Sequence, residues 1–438
     1  MIMDFINCIS EINNWIGKNK DYILNTLSEL IQVRTENLPP TGNEKPGQEY
    51  LYNKVVKFIP EKYIDVFEID EVEGIREHPL FFPTSDDVER IYKDRPNLVA
   101  KLRGNGGGKS LVFSGHMDTM PASGEKWNVF EDPFSGKIKD EKMYGRGSMD
   151  MKAGTLSGFF ALKCLHDLNI KLNGDVFAES VIDEENGGVN GTVAARIRNP
   201  DIDFAILSEP TDLAAAVETI GGSDWKISVK EKGSGGFGFG LELPNPIYKL
   251  SKIALALEKY NKVLRKIKSP DCYKKKQRLR LLTFQLYSGG SNYKEAGSVP
   301  IEGHIYFWLE TFAHMKEEDV RKDFLNFMGK ELEKYDDFKD EFPKFETVIR
   351  FMCGHKTNTS HPAMSSIRKA YKDLGLKYEE NGLGIACDAY AFKRTSNTDV
   401  VVLGPVGENP HGIDEYVEID SVFKLIKIMV LTAVDFCS

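Results

Sequence analysis

Leu111-Val-Phe-Ser114-Gly-His116-Met-Asp118-Thr119 is a short β-rich run that ends directly in an imidazole and a carboxylate. The same construction recurs along the chain. Phe177–Ile182 runs into Asp183-Glu184-Glu185-Asn-Gly-Gly, Phe204–Leu207 into Ser-Glu209-Pro-Thr, and Val400–Leu403 into a Gly/Pro loop carrying Asn-Pro-His411-Gly-Ile-Asp-Glu. A fifth cluster, Gly-Arg-Gly-Ser-Met-Asp150-Met-Lys-Ala-Gly, precedes a helical pattern of Leu156, Phe159, Phe160 and Leu162. There Asp150 sits near the positive end of the helix, where a carboxylate is favoured. In open α/β sheets, sites form at the carboxyl ends of strands, and four of these five clusters follow that rule.

Carboxylates and histidines converging at strand ends are what a metal-centred hydrolase needs. They supply oxygen and nitrogen ligands for the ion and a spare carboxylate for proton transfer. A ligating imidazole usually has its other ring nitrogen held by an acceptor, and Asp118 is well placed to hold His116. Of the adjacent Glu184 and Glu185, one can bind metal while the other activates water. The other histidines, His78, His166, His304, His314, His355 and His361, read as ordinary loop or helix-end residues.

These motifs, in this order and spacing, closely resemble the zinc metallohydrolase family of acetylornithine deacetylase, succinyl-diaminopimelate desuccinylase, aminoacylase and carboxypeptidase G. The resemblance runs from the helix around Leu24–Val33 to Val422. It implies two divalent metal ions. Zinc is favoured by the nitrogen/oxygen ligand set, and cobalt or manganese can occupy the same ligands. Carried over by motif, His116 and Glu209 bind one metal, Glu185 and His411 the other, and Asp150 bridges them. Glu184 is then the general base and Asp118 the orienting carboxylate. The resemblance also implies a cis peptide between Asp150 and Met151. The activity it implies is hydrolysis of an amide or peptide C–N bond in a small acylated amino acid or short peptide. An inactive metal-binding homologue, or a hydrolase of carbamoyl or ureido groups, stays open as an alternative.

Elsewhere the pattern is that of an α/β chain with an insertion. The first ~35 residues read as helix, with Leu24, Leu27, Leu30 and Ile31 on one face. Asn37–Gln48 reads as a loop leading into a helix. Asp70–Pro96, polar around Pro79-Leu-Phe-Phe-Pro83, reads as a surface excursion capped by a few buried aromatics, or else as a pocket wall. After Thr219 the order becomes strand (Trp225–Val229), helix (Ile247–Ile267), strand (Leu279–Leu286), strand (His304–Leu309), helix (Glu317–Tyr335), strand (Phe345–Met352), the split βαβ arrangement. The expected architecture is a mixed-sheet α/β catalytic domain, residues 1–219 and 354–438, with an inserted ferredoxin-like α+β lid domain, residues 220–353.

The insert departs from its relatives. Many carry a lid histidine where Lys232-Gly-Ser-Gly-Gly-Phe-Gly-Phe-Gly240 stands here, and a substrate-binding arginine near Glu310. A glutamate there would repel an anionic substrate tail. The basic run Lys274–Arg280 reads as a solvated face.

Composition suits a soluble enzyme. In 438 residues, 41% are hydrophobic and 28% charged, ordinary globular values. The formal net charge of -9 argues against nucleic acid or an acidic membrane surface as partner. The expected partner is a small-molecule or short-peptide substrate, and the relatives' layout allows a homodimer through the lid. Six scattered cysteines read as thiols in a reducing, cytoplasmic setting. The first residues, Met1–Cys8, lack the basic and apolar regions of a signal peptide, and no apolar run is long enough to span a bilayer.

Overall fold

In the computed structural model the strands that end in the acidic clusters lie side by side. The structure describes residues 5–85, 88–122, 124, 126–232, 245–273, 277–289, 299–339 and 341–438. An eight-stranded sheet has the order Glu380–Leu383, Ala215–Thr219, Asp399–Val402, Phe204–Leu207, Leu111–His116, Val176–Val181, Pro96–Leu102, Ile64–Glu68. Its four middle strands, from Asp399–Val402 to Val176–Val181, are mutually parallel. Pro96–Leu102, Ile64–Glu68 and Ala215–Thr219 join antiparallel, which makes the sheet mixed. Leu111–His116, Val176–Val181 and Phe204–Leu207 are buried along their whole length. This is why Leu111–Phe113, Val176–Ala178 and Phe204–Leu207 read as continuous apolar runs rather than alternation.

Register decides where the chemistry falls. His116 lies opposite Val181, two residues before Asp183. Leu207, two residues before Glu209, lies opposite both Ser114 and Val402. Parallel strands in this register discharge their loops at one edge. Helix Ala153–Asp167 starts at the same edge. A side chain at Gly154 would run into the Ser208 carbonyl, so glycine is what lets the start of this helix approach the end of strand Phe204–Leu207.

Two compact units divide the chain. One comprises 1–217, 356–381 and 387–438, the other 218–355 with 382–386. The second unit holds a four-stranded antiparallel sheet in the order Leu281–Ser288, Glu302–Thr311, Gly221–Lys230, Lys344–Met352, with helices Pro246–Leu264 and Glu317–Leu332. This is the ferredoxin-like order. Strand Gly221–Lys230 alternates, sending Trp225, Ile227 and Val229 into a core with Leu250, Ile253, Leu257, Phe307, Phe324 and Met328.

Several expectations change in detail. The first helix is Phe5–Gln32, and the loop after it forms a small hairpin, Asn37–Leu38 with Thr41–Gly42, before helix Lys45–Val55. The 70–96 excursion is more than a surface loop. Besides Phe81 and Tyr92 it buries Arg90 and Arg95, because interior carboxylates of Asp183 and Glu44 need cations. Strand Ile64–Glu68 and helix Ile419–Phe436 carry no expectation from the sequence reading. Among the described residues no helix is long and apolar enough to cross a membrane.

The inserted unit also alters the charge argument. Glu310 is buried and accepts from Arg280 Nε at 2.9 Å, from Nη2 at 2.6 Å and from the Arg280 backbone N–H at 2.7 Å. The carboxylate is neutralised within its own unit, so the repulsion expected of a bare glutamate does not follow. Of the basic run, Arg278 and Arg280 are exposed, Leu279 is buried and Gln277 is intermediate, while 274–276 lie outside the described residues. So does 233–244, which holds most of the stretch where the lid histidine is missing.

Candidate metal centre

His116, the last residue of its strand, is buried at the centre of the cluster. Its Nε2 lies 3.3 Å from Asp150 Oδ1, 3.7 Å from Glu209 Oε1 and 3.8 Å from Glu184 Oε2. Asp150 turns its other oxygen, Oδ2, to His411 Nε2 at 3.2 Å, and His411 Nε2 is also 2.9 Å from Glu185 Oε2. One carboxylate therefore stands between two imidazoles, each flanked by a further glutamate. Two overlapping groups, His116–Asp150–Glu185 and His116–Glu184–Glu209, have their ligand atoms within 4.8 Å of one another.

The backbone that carries these groups is held by named contacts. Asp150 sits in a kinked turn, Ser148–Lys152, and the Asp150–Met151 peptide is cis. The buried carboxylate of Glu415 gathers that turn. It accepts from Arg146 Nη1 at 2.7 Å, Gly147 N at 3.1 Å, Met149 N at 2.9 Å and Asp150 N at 3.2 Å. Arg146 Nη2 also donates to the His411 carbonyl at 2.8 Å, tying the two ligand loops together. Lys152 is buried and donates to the carbonyls of Leu30 and Val33 at the end of the first helix.

Asp118 acts differently from the simplest expectation. The group within hydrogen-bond reach of His116 Nδ1 is the Asp118 backbone carbonyl, at 2.8 Å, while the carboxylate stands at 3.7 Å. The carboxylate accepts instead from the Glu185 N–H at 3.0 Å and from Asn37 Nδ2 at 2.9 Å. It holds the loop that bears Glu184 and Glu185. Glu185 is further fixed by Met120 N–H, which donates to its Oε1 at 3.0 Å.

The electrostatics are those of crowded, buried carboxylates around histidines. Burial by itself would lower the His116 pKa, but the adjacent carboxylates of Asp150, Glu209 and Glu184 hold it well above the ordinary histidine value. His411 is likewise drawn down by burial yet pushed up to about 11 by Glu185 and Asp150. Burial, then neighbouring negative charge, raises Glu184 and Glu209 well above the usual carboxylate range. Asp388, buried and accepting from Thr192, is raised to about 7 by burial.

These side chains fit a cation. His116 Nε2 and Glu209 Oε1 are buried without a hydrogen-bond partner, a condition that folded interiors avoid. A divalent ion among imidazole nitrogens and carboxylate oxygens satisfies both atoms and offsets the crowding of acids.

The profile of Peptidase family M20/M25/M40 matches residues 112–435. The chain belongs to that family. Among curated relatives, it is 30% identical over 207 residues to the N-formyl-4-amino-5-aminomethyl-2-methylpyrimidine deformylase of Halalkalibacterium halodurans, covering 47% of this chain and 42% of that protein. It is 35% identical over 191 residues to the succinyl-diaminopimelate desuccinylase of Methylobacterium radiotolerans, covering 41% of this chain and 46% of that one. The matched stretches thus span less than half the length of these relatives. Among solved structures, the dipeptidase Dug1p of Saccharomyces cerevisiae superimposes with a TM-score of 0.75 at 14% identity, over 98% of each chain, a likeness of fold.

All seven residues singled out from the sequence, His116, Asp118, Asp150, Glu184, Glu185, Glu209 and His411, lie in this one cluster. Sequence reasoning overlooked the groups that hold it: Asn37, Arg90, Tyr92, Arg146, Asp183 and Glu415. Asp183, Arg146 and Glu415 sit inside the quoted motifs and were within reach. Arg90 and Tyr92 lie in a polar excursion, where nothing local marks a residue that points inward.

Proposed function

We propose that this family member is a two-metal hydrolase that cleaves an amide C–N bond, with zinc as the favoured metal. The observation that carries the reading is Asp150, one carboxylate set between His116 and His411 with a glutamate beside each. His116 and Glu209 would hold one ion, Glu185 and His411 the other, and Asp150 would be shared. Bound divalent ions supply acidification of water and polarisation of the scissile carbonyl.

Glu184 is the general base in this reading. Both Glu185 oxygens are engaged, one by Met120 N–H and the other by His411, which suits a ligand and leaves proton transfer to its neighbour. Glu184 takes a proton from the attacking water and delivers it to the leaving nitrogen. The Asp118 carboxylate keeps the Glu184–Glu185 loop in place, and its carbonyl orients His116.

The two curated relatives are named as a deformylase and a desuccinylase, which favours removal of an acyl group from nitrogen as the substrate class. A homodimer through the inserted unit fits the exposed apolar side chains Leu282, Phe284, Leu286 and Tyr287 on its edge strand. The buried thiols of Cys8, Cys164, Cys387 and Cys437 are in keeping with a cytoplasmic setting.

A panel of N-formyl, N-acetyl and N-succinyl amino acids with dipeptides, run on zinc-loaded protein alongside elemental analysis, tests the reading. The expected result is about two ions per chain and turnover of at least one acylated amine. A folded protein that takes up no metal refutes it. A fully loaded protein that turns over nothing in the panel favours the inactive homologue.

A further inference from the structure

Besides the Arg95–Glu44 pair, the 70–96 excursion reaches into the interior at the back of the loop that bears Glu184 and Glu185. Arg90 and Asp183 are both about 1% exposed at their side chains, and Arg90 Nη1 donates to Asp183 Oδ1 at 2.5 Å. The same guanidinium donates through Nη2 to the Asn186 carbonyl at 2.7 Å. Tyr92 OH donates to Asp183 Oδ2 at 2.7 Å. At the far end of the loop, Asn190 is clasped by the excursion's backbone, accepting from Phe82 N–H at 2.9 Å and donating to the Phe82 carbonyl at 2.8 Å. The excursion thus holds the stretch before and after Glu184-Glu185.

Inside, this loop is closed by a backbone hydrogen bond, Gly187 N–H to the Glu184 carbonyl at 2.8 Å. It is entered through Asp183 at φ 68° and left through Val189 at φ 47°, both left-handed. A β-branched residue adopts that conformation only where its surroundings over-determine it. On the other side the loop meets Asn37 and Asp118. Asn37 Nδ2 donates to Asp118 Oδ2 at 2.9 Å and stands 3.4 Å from Asp183 Oδ1, while Asp118 Oδ2 receives the Glu185 N–H. Side chains from three separated segments of chain therefore fix the direction in which the two glutamates leave the backbone.

We propose that Arg90 and Tyr92 are positioning residues for Glu184 and Glu185, so that the excursion is a working part of the catalytic apparatus. The proposal rests on the two-metal reading above. Asp183 takes no part in the chemistry. It is the handle by which the excursion grips the loop. Groups of this kind behind a metal ligand typically change affinity or activity by 10–100-fold when removed.

The test uses the full chain, stripped of metal and titrated with cobalt(II) by calorimetry, with zinc-loaded kinetics on whichever panel substrate the parent turns over. Arg90→Lys keeps the charge and loses the forked contact. Tyr92→Phe removes one hydroxyl. Arg76→Gln is the control, since Arg76 belongs to the same excursion but pairs at the surface with Asp70 and Glu89. Arg90→Lys and Tyr92→Phe should each weaken one of two cobalt-binding steps by about 10–100-fold and leave the other within about threefold. They should lower kcat at least about tenfold with KM moved less than about threefold. Arg76→Gln should match the parent in all of these. Binding and kcat within about threefold of the parent in folded Tyr92→Phe overturns the proposal. Equal weakening of both steps overturns it too, since that is general loosening. A parent that shows no cobalt binding at all refutes the metal centre itself, and this inference falls with it.

Discussion

Replacing Asp224 by asparagine should make the protein more stable as pH rises. Asp224 lies on strand Gly221–Lys230 of the inserted unit, with Trp308 and Ile349 directly across on the neighbouring strands. No opposite charge stands in those two positions, and burial pushes its pKa from 3.8 to about 7. The unfolded chain releases this proton near pH 3.8 while the folded chain keeps it to about pH 7. Between those values the folded state binds more protons, so stability falls as pH rises and levels off above about 7. At about 1.36 kcal/mol per pH unit, the loss is about 1.7 kcal/mol by pH 5 and about 4.3 kcal/mol by pH 8. These are ceilings, because the side chain keeps some access to water. Asparagine has nearly the same shape and no charge to desolvate. Urea unfolding of parent and Asp224→Asn can be followed by tryptophan fluorescence, to which the inserted unit contributes Trp225 and Trp308, two of the four tryptophans. The stability difference should move in favour of the variant by about 1.5–2.5 kcal/mol between pH 5 and pH 8. A difference that stays flat across that interval refutes the reasoning.

Three further substitutions probe the site and the inserted unit. Glu184→Gln should keep both metals by elemental analysis while kcat falls by ~10²–10⁴-fold, because an amide holds the geometry but cannot take the proton; unchanged turnover in a loaded variant rejects the assignment. Glu415→Gln leaves one acceptor oxygen where two now serve Arg146, Gly147, Met149 and Asp150. Metal affinity measured by calorimetry should drop about 10–100-fold, and unaltered affinity would mean the turn holds itself. Phe284→Glu places a charge on an exposed edge strand and should convert dimers to monomers in sedimentation, with kcat/KM within about threefold of the parent.

The chemistry was legible because it is written locally. His116, Glu209 and the Glu184–Glu185 pair each follow an apolar run that could only be a buried strand, and the glycines around Asp150 mark a tight turn before a helix. The order of elements in the inserted unit was legible for a similar reason, since Trp225, Ile227 and Val229 alternate as a half-buried strand must. Glu310 shows where local reading stops. Its charge was visible, but its partner Arg280 lies 30 residues away in sequence and is brought beside it only by the pairing of two strands.

The sequence by itself determined the strands and the candidate ligands at their ends, because apolar runs and the residues that end them need only neighbouring positions to be read; their proposed roles came from the family resemblance. Tertiary structure alone decided how those groups are aimed. Parallel register places His116 level with Val181. Asp118 turns its carbonyl to His116 and its carboxylate to the backbone of Glu185. Arg90 and Tyr92, 93 and 91 residues away from Asp183, grip the loop from behind. Contacts across such separations depend on how the whole sheet and its excursions close, and a polar stretch that turns inward looks, residue by residue, like one that faces water.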